Sequence, residues 1–116
     1  MSSPTLPDRD YQAAADRVLA AIESQADLWL QQGVIDIDTH RSGGLLELAF
    51  PDGSKIVVNK QPPLQELWLA ARQGGFHFRW QAGRWLDTRD GADFFTRLSE
   101  QISAQGGVAL NVAEPA

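Results

Sequence analysis

The sequence of 116 residues contains no cysteine. Disulfides, thiolate metal sites, cysteine-ligated iron–sulfur clusters and cysteine nucleophiles are therefore excluded within the chain. Positive charge is also scarce: ten Lys and Arg stand against fifteen Asp and Glu, a formal charge of −5. That balance argues against a general basic surface for DNA, RNA or an anionic membrane. No run of about 18 apolar residues occurs, so no membrane span is expected. Residues 1–7 lack the basic and apolar regions of a secretory signal, and the expectation is a cytoplasmic protein. The only histidines, His40 and His77, sit in no metal-ligand spacing. A Gly-rich phosphate loop and a triad context are missing as well, so the common enzyme templates fail.

What is present is enough for one core. Hydrophobic residues make up 43% of the chain, with four Trp, five Phe and one Tyr, which suits one domain with a real interior. Residues 1–7 read as a flexible tail, residues 8–107 as the domain and residues 108–116 as a C-terminal tail that either lies across the body or frays. Asp8 is placed to cap a helix over residues 9–32, because its carboxylate can accept unpaired backbone N–H groups. In that helix Tyr11, Ala15, Val18, Ile22, Ala26 and Trp29 form an apolar stripe, and Gly33 is placed to end it. Ile35 and Ile37 alternate with Asp36 and Asp38, which predicts a first strand over residues 34–39, followed by a turn over residues 41–44. Leu46, Leu48 and Phe50 predict a second strand. Pro51-Asp52-Gly53-Ser54 predicts a tight turn into a β-branched strand over residues 55–60.

After Pro62-Pro63, residues 64–71 fit either strand or helix locally, with the alternation of Leu67 and Leu69 favouring a strand. Gly74-Gly75 punctuates. Phe76, Phe78 and Trp80 then alternate with His77 and Arg79, and residues 84–87 follow as a short strand. Asp90 precedes a second helix over residues 91–105, with Phe94, Phe95, Leu98 and Ile102 on one side and Gly106-Gly107 at its end. Short turns between consecutive strands imply an antiparallel meander. The expected fold class is thus α+β: a two-layer α/β sandwich with N- and C-terminal helices on one face of an antiparallel sheet of about six strands. The other face is left to solvent or a partner.

Charge is unevenly placed along this plan. Residues 1–53 carry nine acids and three bases, whereas residues 54–116 carry six acids and seven bases. Asp16, Glu23 and Asp27 fall within about 40° of one another on the first helix, roughly 125° from its apolar stripe. Asp36 and Asp38 follow on the outer face of the expected first strand. If that strand is the sheet edge beside the helix, five carboxylates form one acidic ridge. Such a ridge is either a solvated face that aids solubility, or a set of hard oxygen ligands for a multivalent cation or a docking surface for a basic partner. A second feature is Trp68. With Leu67 and Leu69 inward, it points onto the open face beside Asn59 and Gln65, as a binding residue does, unless a loop or the tail covers it. His77 falls on the same face and reads as a surface residue rather than a catalyst.

The residues Asp52-Gly53-Ser54-Lys55-Ile56-Val57-Val58-Asn59-Lys60-Gln61-Pro62, then Leu67-Trp68-Leu69-Ala70, Gly74-Gly75-Phe76-His77-Phe78 and Trp85 resemble the frataxin family in its bacterial form, over residues 11–98. The resemblance implies a frataxin-like fold and a role in iron–sulfur cluster assembly: weak binding of ferrous or ferric iron, no buried cofactor, and docking on a cysteine desulfurase and iron–sulfur scaffold protein. By position it implies iron ligands at Glu23, Asp27, Asp36 and Asp38, with Asp16 outlying, and partner contacts at Asn59, Lys60, Gln61 and Trp68. Ser24, Leu28, Leu30, Gln32 and Val34 stand where bacterial relatives often carry acids, so fewer and weaker iron sites are expected. Glu66 stands where relatives often have Gln and is expected to add negative charge to the partner surface.

The resulting expectation is a monomeric, non-enzymatic, iron-binding accessory protein that modulates the desulfurase and scaffold, with no nucleic-acid or membrane partner. The alternatives are a ferroxidase and an iron-storage or iron-chaperone protein. An unpaired ridge should repel itself, so salt, a divalent cation or neutralisation of Glu23 or Asp27 is expected to raise the melting temperature in a thermal scan.

Overall fold

A computed structural model describes residues 6–115. The element order is α1 (Asp8–Gln31), β1 (Asp38–Ser42), β2 (Leu45–Ala49), β3 (Lys55–Gln61), a 3₁₀ turn (Pro62–Leu64), β4 (Glu66–Ala71), β5 (Gly74–Gln81), β6 (Arg84–Asp87) and α2 (Phe94–Gly106). The six strands form one antiparallel meander in sequential order β1 to β6. Both helices cover one face, as the alternation and the short turns predict. Among the described residues no helix is long and apolar enough to cross a membrane.

The core is the meeting of two periods. From α1, the whole apolar stripe Tyr11, Ala15, Val18, Ile22, Ala26 and Trp29 is buried, joined by Ala14 and Leu19. From the strands come every second residue: Leu46 and Leu48, Ile56 and Val58, Leu67 and Leu69, Phe78, and Trp85. Helix α2 adds Phe94, Phe95, Leu98 and Ile102. Aromatic edges lock the layers, Tyr11 against Trp85 at 6.1 Å and Phe78 against Phe94 at 5.0 Å between ring centroids. Burial on this scale contributes roughly 25 cal/mol for each Å² of apolar surface removed from water.

Several boundaries differ from the sequence expectation, each for a local reason. The first strand is residues 38–42, not 34–39. Its ladder begins with Asp38 opposite Ala49, because the partner strand ends there and Phe50 enters the turn. Ile35 and Ile37 still alternate, but to close the end of the core: a Cβ on Gly106 would lie 3.0 Å from the Ile35 Cδ1 atom. Arg41 and Ser42 are therefore strand, and only Gly43-Gly44 turns. Likewise the turn before β5 is Arg72-Gln73, and Gly74-Gly75 belong to the strand. Asp8 is not a cap: Pro7 precedes the helix and no side chain caps it, so Asp8 and Asp10 act only as acids in the first turn, where the helix dipole favours them.

The second helix starts three residues later than expected. Asp90 closes a turn by accepting from the Ala92 N–H, and Asp93 caps α2 by accepting from the N–H groups of Phe95 and Thr96. Of the expected N-terminal tail, residues 1–5 lie outside the described residues. Leu6 exchanges two hydrogen bonds with the Gln65 side chain. The C-terminal segment lies along α2: Leu110 and Val112 are buried, and Ser103 and Ser99 accept from their N–H groups.

One hydroxyl joins α1 to the sheet. The fully buried Tyr11 phenol donates to the Glu66 carbonyl at 2.7 Å and accepts from the Gln61 N–H at 3.0 Å, bridging the two sides of the β3–β4 connection. Burial pushes its pKa up to about 12. The protonated form is therefore favoured by folding. That contribution is complete below the ordinary value of 10 and is lost as the pH rises through about 12. Tyr11→Phe keeps the ring but strands both backbone groups, and is expected to destabilise by about 1–3 kcal/mol in urea denaturation. The variant should also lose the part of the alkaline transition that belongs to this phenol.

Candidate functional site

The expected ridge residues lie on two elements and face different ways. Asp16, Glu23 and Asp27 project from α1. In the β1–β2 register Asp38 shares its face with His40 and Glu47, whereas Thr39 and Arg41 share the helix-facing side of Leu46 and Leu48. Asp38 thus lies on the face of the sheet opposite the helices. Asp36 is exposed in the segment that leads into β1. Edge strand β1 does adjoin α1, but the five carboxylates are not one unpaired row.

Arg41, read as a turn residue from sequence, points from β1 at the helix. Its guanidinium donates to Glu23 at 2.9 Å and to Asp16 at 3.3 Å. Lys60 Nζ reaches the same Asp16 at 2.8 Å and Gln12 at 2.8 Å. The expectation of an unpaired cluster is therefore corrected for Asp16 and Glu23, which have cationic partners. Asp27, Asp36 and Asp38 make no ion pair among the described residues. Among those residues, too, no three His, Asp or Glu side chains stand together as a ready metal cage. Carboxylate oxygens are the right donors for a hard cation such as ferrous or ferric iron, but here water or movement of side chains would have to complete its coordination.

The open face carries the second group. Asn59, Trp68 and His77 form one row across β3, β4 and β5. Trp68 is half-buried and lies flat on His77, with centroids 4.3 Å apart and planes 8° from parallel. Among the described residues the C-terminal segment packs along α2, on the other face of the sheet. Gln61 lies on the same side by alternation, but Lys60 does not: with Ile56 and Val58 it faces the helices, and its side chain is only 14% exposed. Lys60 belongs to the α1 ion pairs rather than to the row around Trp68.

Glu66 also differs from expectation. Its side chain is 6% exposed, and it accepts from the Trp68 indole N–H at 2.9 Å and from Arg79 at 2.6 Å. Its charge is matched by Arg79 rather than added to the surface, and its carboxylate fixes the indole. Arg41 and Arg79 were missed as site residues, and Lys60 was assigned to the partner surface although it faces α1. The alternation Ile56, Val58, Lys60 did hold the signal for Lys60; the partners of Arg41 and Arg79 depend on register, which no local pattern reveals.

The family model of the frataxin-like domain matches residues 4–108, and the chain belongs to that family. It is 45% identical over 108 residues, covering 93% of this chain and 99% of the relative, to a protein of Paraburkholderia phymatum named iron-sulfur cluster assembly protein CyaY. Among solved structures it is similar to the frataxin of Psychromonas ingrahamii, with a TM-score of 0.81 at 31% identity over 94% of this chain and all of that one. It is also similar to the trimeric frataxin of Saccharomyces cerevisiae complexed with ferrous iron, with a TM-score of 0.64 at 27% identity over 92% and 91% of the two chains.

The split of the ridge changes what neutralisation does. Glu23→Gln removes a bonded partner of Arg41 and is expected to lower stability by up to about 1 kcal/mol. Asp27→Asn removes an unpaired acid and is expected to leave stability within about 0.5 kcal/mol or to raise it. Paired thermal melts of the two variants, at low salt, check the difference in sign.

Proposed function

We propose that this chain is an accessory protein of iron–sulfur cluster assembly that takes up iron weakly as cargo and docks on a cysteine desulfurase and iron–sulfur scaffold protein. The observation that carries the reading is the full-length similarity to a protein named for iron–sulfur cluster assembly. The likeness to a frataxin complexed with ferrous iron supports the metal. On this reading iron is held by Asp27, Asp36 and Asp38, while Glu23 and Asp16, both paired with Arg41, lie at the margin. The partner surface is the Trp68 row with Asn59 and Gln61, while Lys60 contributes through α1. The chain acts without catalysing a reaction, as a cytoplasmic monomer, by electrostatic docking and an aromatic contact.

A storage role through oligomers is the second reading, prompted by the trimeric yeast neighbour. Size-exclusion chromatography with and without iron separates it from a monomeric modulator. Ferroxidase activity would show as oxygen uptake above the iron-only rate that is lost in Asp27→Asn.

An anaerobic titration with ferrous iron, followed by two-dimensional amide NMR, tests the metal. Selective broadening at Asp27, Asp36 and Asp38 is expected. No selective effect at millimolar iron would sink the iron reading and leave a docking module. For the partner surface, Trp68→Ala is expected to weaken binding to the desulfurase–scaffold complex by about tenfold or more, measured by calorimetry.

A further inference from the structure

The ridge contains its own cations, and their positions bear on how it would take up a metal. Arg41 spans Asp16 and Glu23, which are seven residues apart on α1, at 3.3 and 2.9 Å. Two helical turns separate those acids by about 10.5 Å along the axis, so both carboxylates lean to one guanidinium. Its planar fork suits that bridge, as a single ammonium would not. Lys60, 14% exposed, holds Asp16 from the next strand but one at 2.8 Å. A metal ion competing for Glu23 must displace a bonded guanidinium and then sit beside the cation it displaced. Asp27, one turn further along α1, makes no such pair among the described residues, and neither do Asp36 and Asp38.

From this arrangement, and resting on the reading that cations bind at the ridge, we infer that Arg41 is an internal counter-ion that sets the ridge's cation affinity. It withholds Asp16 and Glu23 and leaves metal to the acids at the C-terminal end of α1 and the segment into β1. The ion pairs are partly exposed and add little to stability. Their effect on a second cation is separate: one positive charge removed from a site within a Debye length changes its affinity several-fold at low salt. The positioning is by register, since Arg41 reaches the helix only because it alternates with the outward His40 and Ser42.

The test uses the full chain at low ionic strength with manganous ion alone, read residue by residue from paramagnetic broadening of amide NMR signals. Arg41→Gln is expected to tighten binding about three- to tenfold and to extend the broadening along α1 to Glu23, with Asp16 still held by Lys60. Glu23→Gln should barely change the affinity of the wild-type chain but should abolish the gain in the Arg41→Gln background. Arg41→Lys, which keeps charge but cannot span both acids, should fall between.

The inference is overturned if Arg41→Gln binds no tighter than wild type. It is also overturned if Glu23→Gln alone weakens binding as much as Asp27→Asn does, a result that does not depend on the Arg41 variants folding. If neither Asp27→Asn nor Asp36→Asn alters manganous binding, the ridge reading itself fails and the inference with it. If those two weaken binding while Arg41→Gln has no effect, only the role of Arg41 is lost.

Discussion

Because both helices cover the same face of the meander, the parity of each strand residue decides whether it meets α1 and α2 or solvent. A one-residue change of register would exchange the two sets. The apolar alternation of Leu46, Leu48, Ile56, Val58, Leu67 and Leu69 fixes that parity, since exposing those side chains would cost the core. Tyr11 then ties the helix to the β3–β4 junction with two hydrogen bonds. The polar residues have no freedom of their own in this arrangement. Lys60 faces the helix because Val58, two residues before it, does, and Arg41 does so because it stands opposite the buried Leu46; Asp38, Trp68 and His77 face outward for the complementary reason.

Seen this way, the charge pattern is a consequence of topology as much as of composition. The excess of acid lies in the first half of the chain, but the register returns two bases to α1 from strands that are distant in sequence. Of the ridge acids, those without an ion pair among the described residues are at the far end of the helix and just beyond it. There the chain also exposes apolar side chains: Leu28 is 44% exposed, Leu30 55% and Val34 47%. The ridge is therefore thinned by internal pairing, and its far end is flanked by exposed apolar side chains. On the open face the same economy appears. Glu66 and Arg79 satisfy each other, and the indole is oriented by a carboxylate that is itself almost buried.

Most of the fold was legible in the sequence because each element states its own period. The α1 stripe, the Asp52-Gly53 turn, the β-branched β3 and the aromatic alternation of β5 are local signals, and each lies where it was expected. The errors were at ends, where local pattern and ladder length disagree. Ile35 and Ile37 alternate like a strand but lack a partner, because β2 has already run into its turn. Asp90 resembles a cap, yet Gly91 prolongs the turn and Asp93 takes the role. The candidate site was legible only as composition: helix geometry placed Asp16, Glu23 and Asp27 on one face, but their pairing with Arg41 and Lys60 joins residues 18 to 44 positions apart. Glu66 was misjudged for the same reason, since its partner Arg79 comes from the neighbouring strand.

Asn59 and Lys60 show how closely the two candidate surfaces are joined. They are consecutive in β3, yet Asn59 stands opposite Trp68 on the open face while Lys60 reaches Asp16 on the helix side. Both are anchored by the same ladder, so neither can change face without the other and without displacing Ile56 and Val58 from the core. A partner that grips the Trp68 row and a cation that approaches α1 would therefore act on opposite sides of one strand, not on one continuous patch. Rigid coupling through β3 would carry position but not charge, because Lys60 is already committed to Asp16. Attraction at the α1 acids and recognition at Trp68 thus lie on opposite sides of the sheet, and of the ridge residues Asp38 alone lies in a strand on the Trp68 side, at the edge.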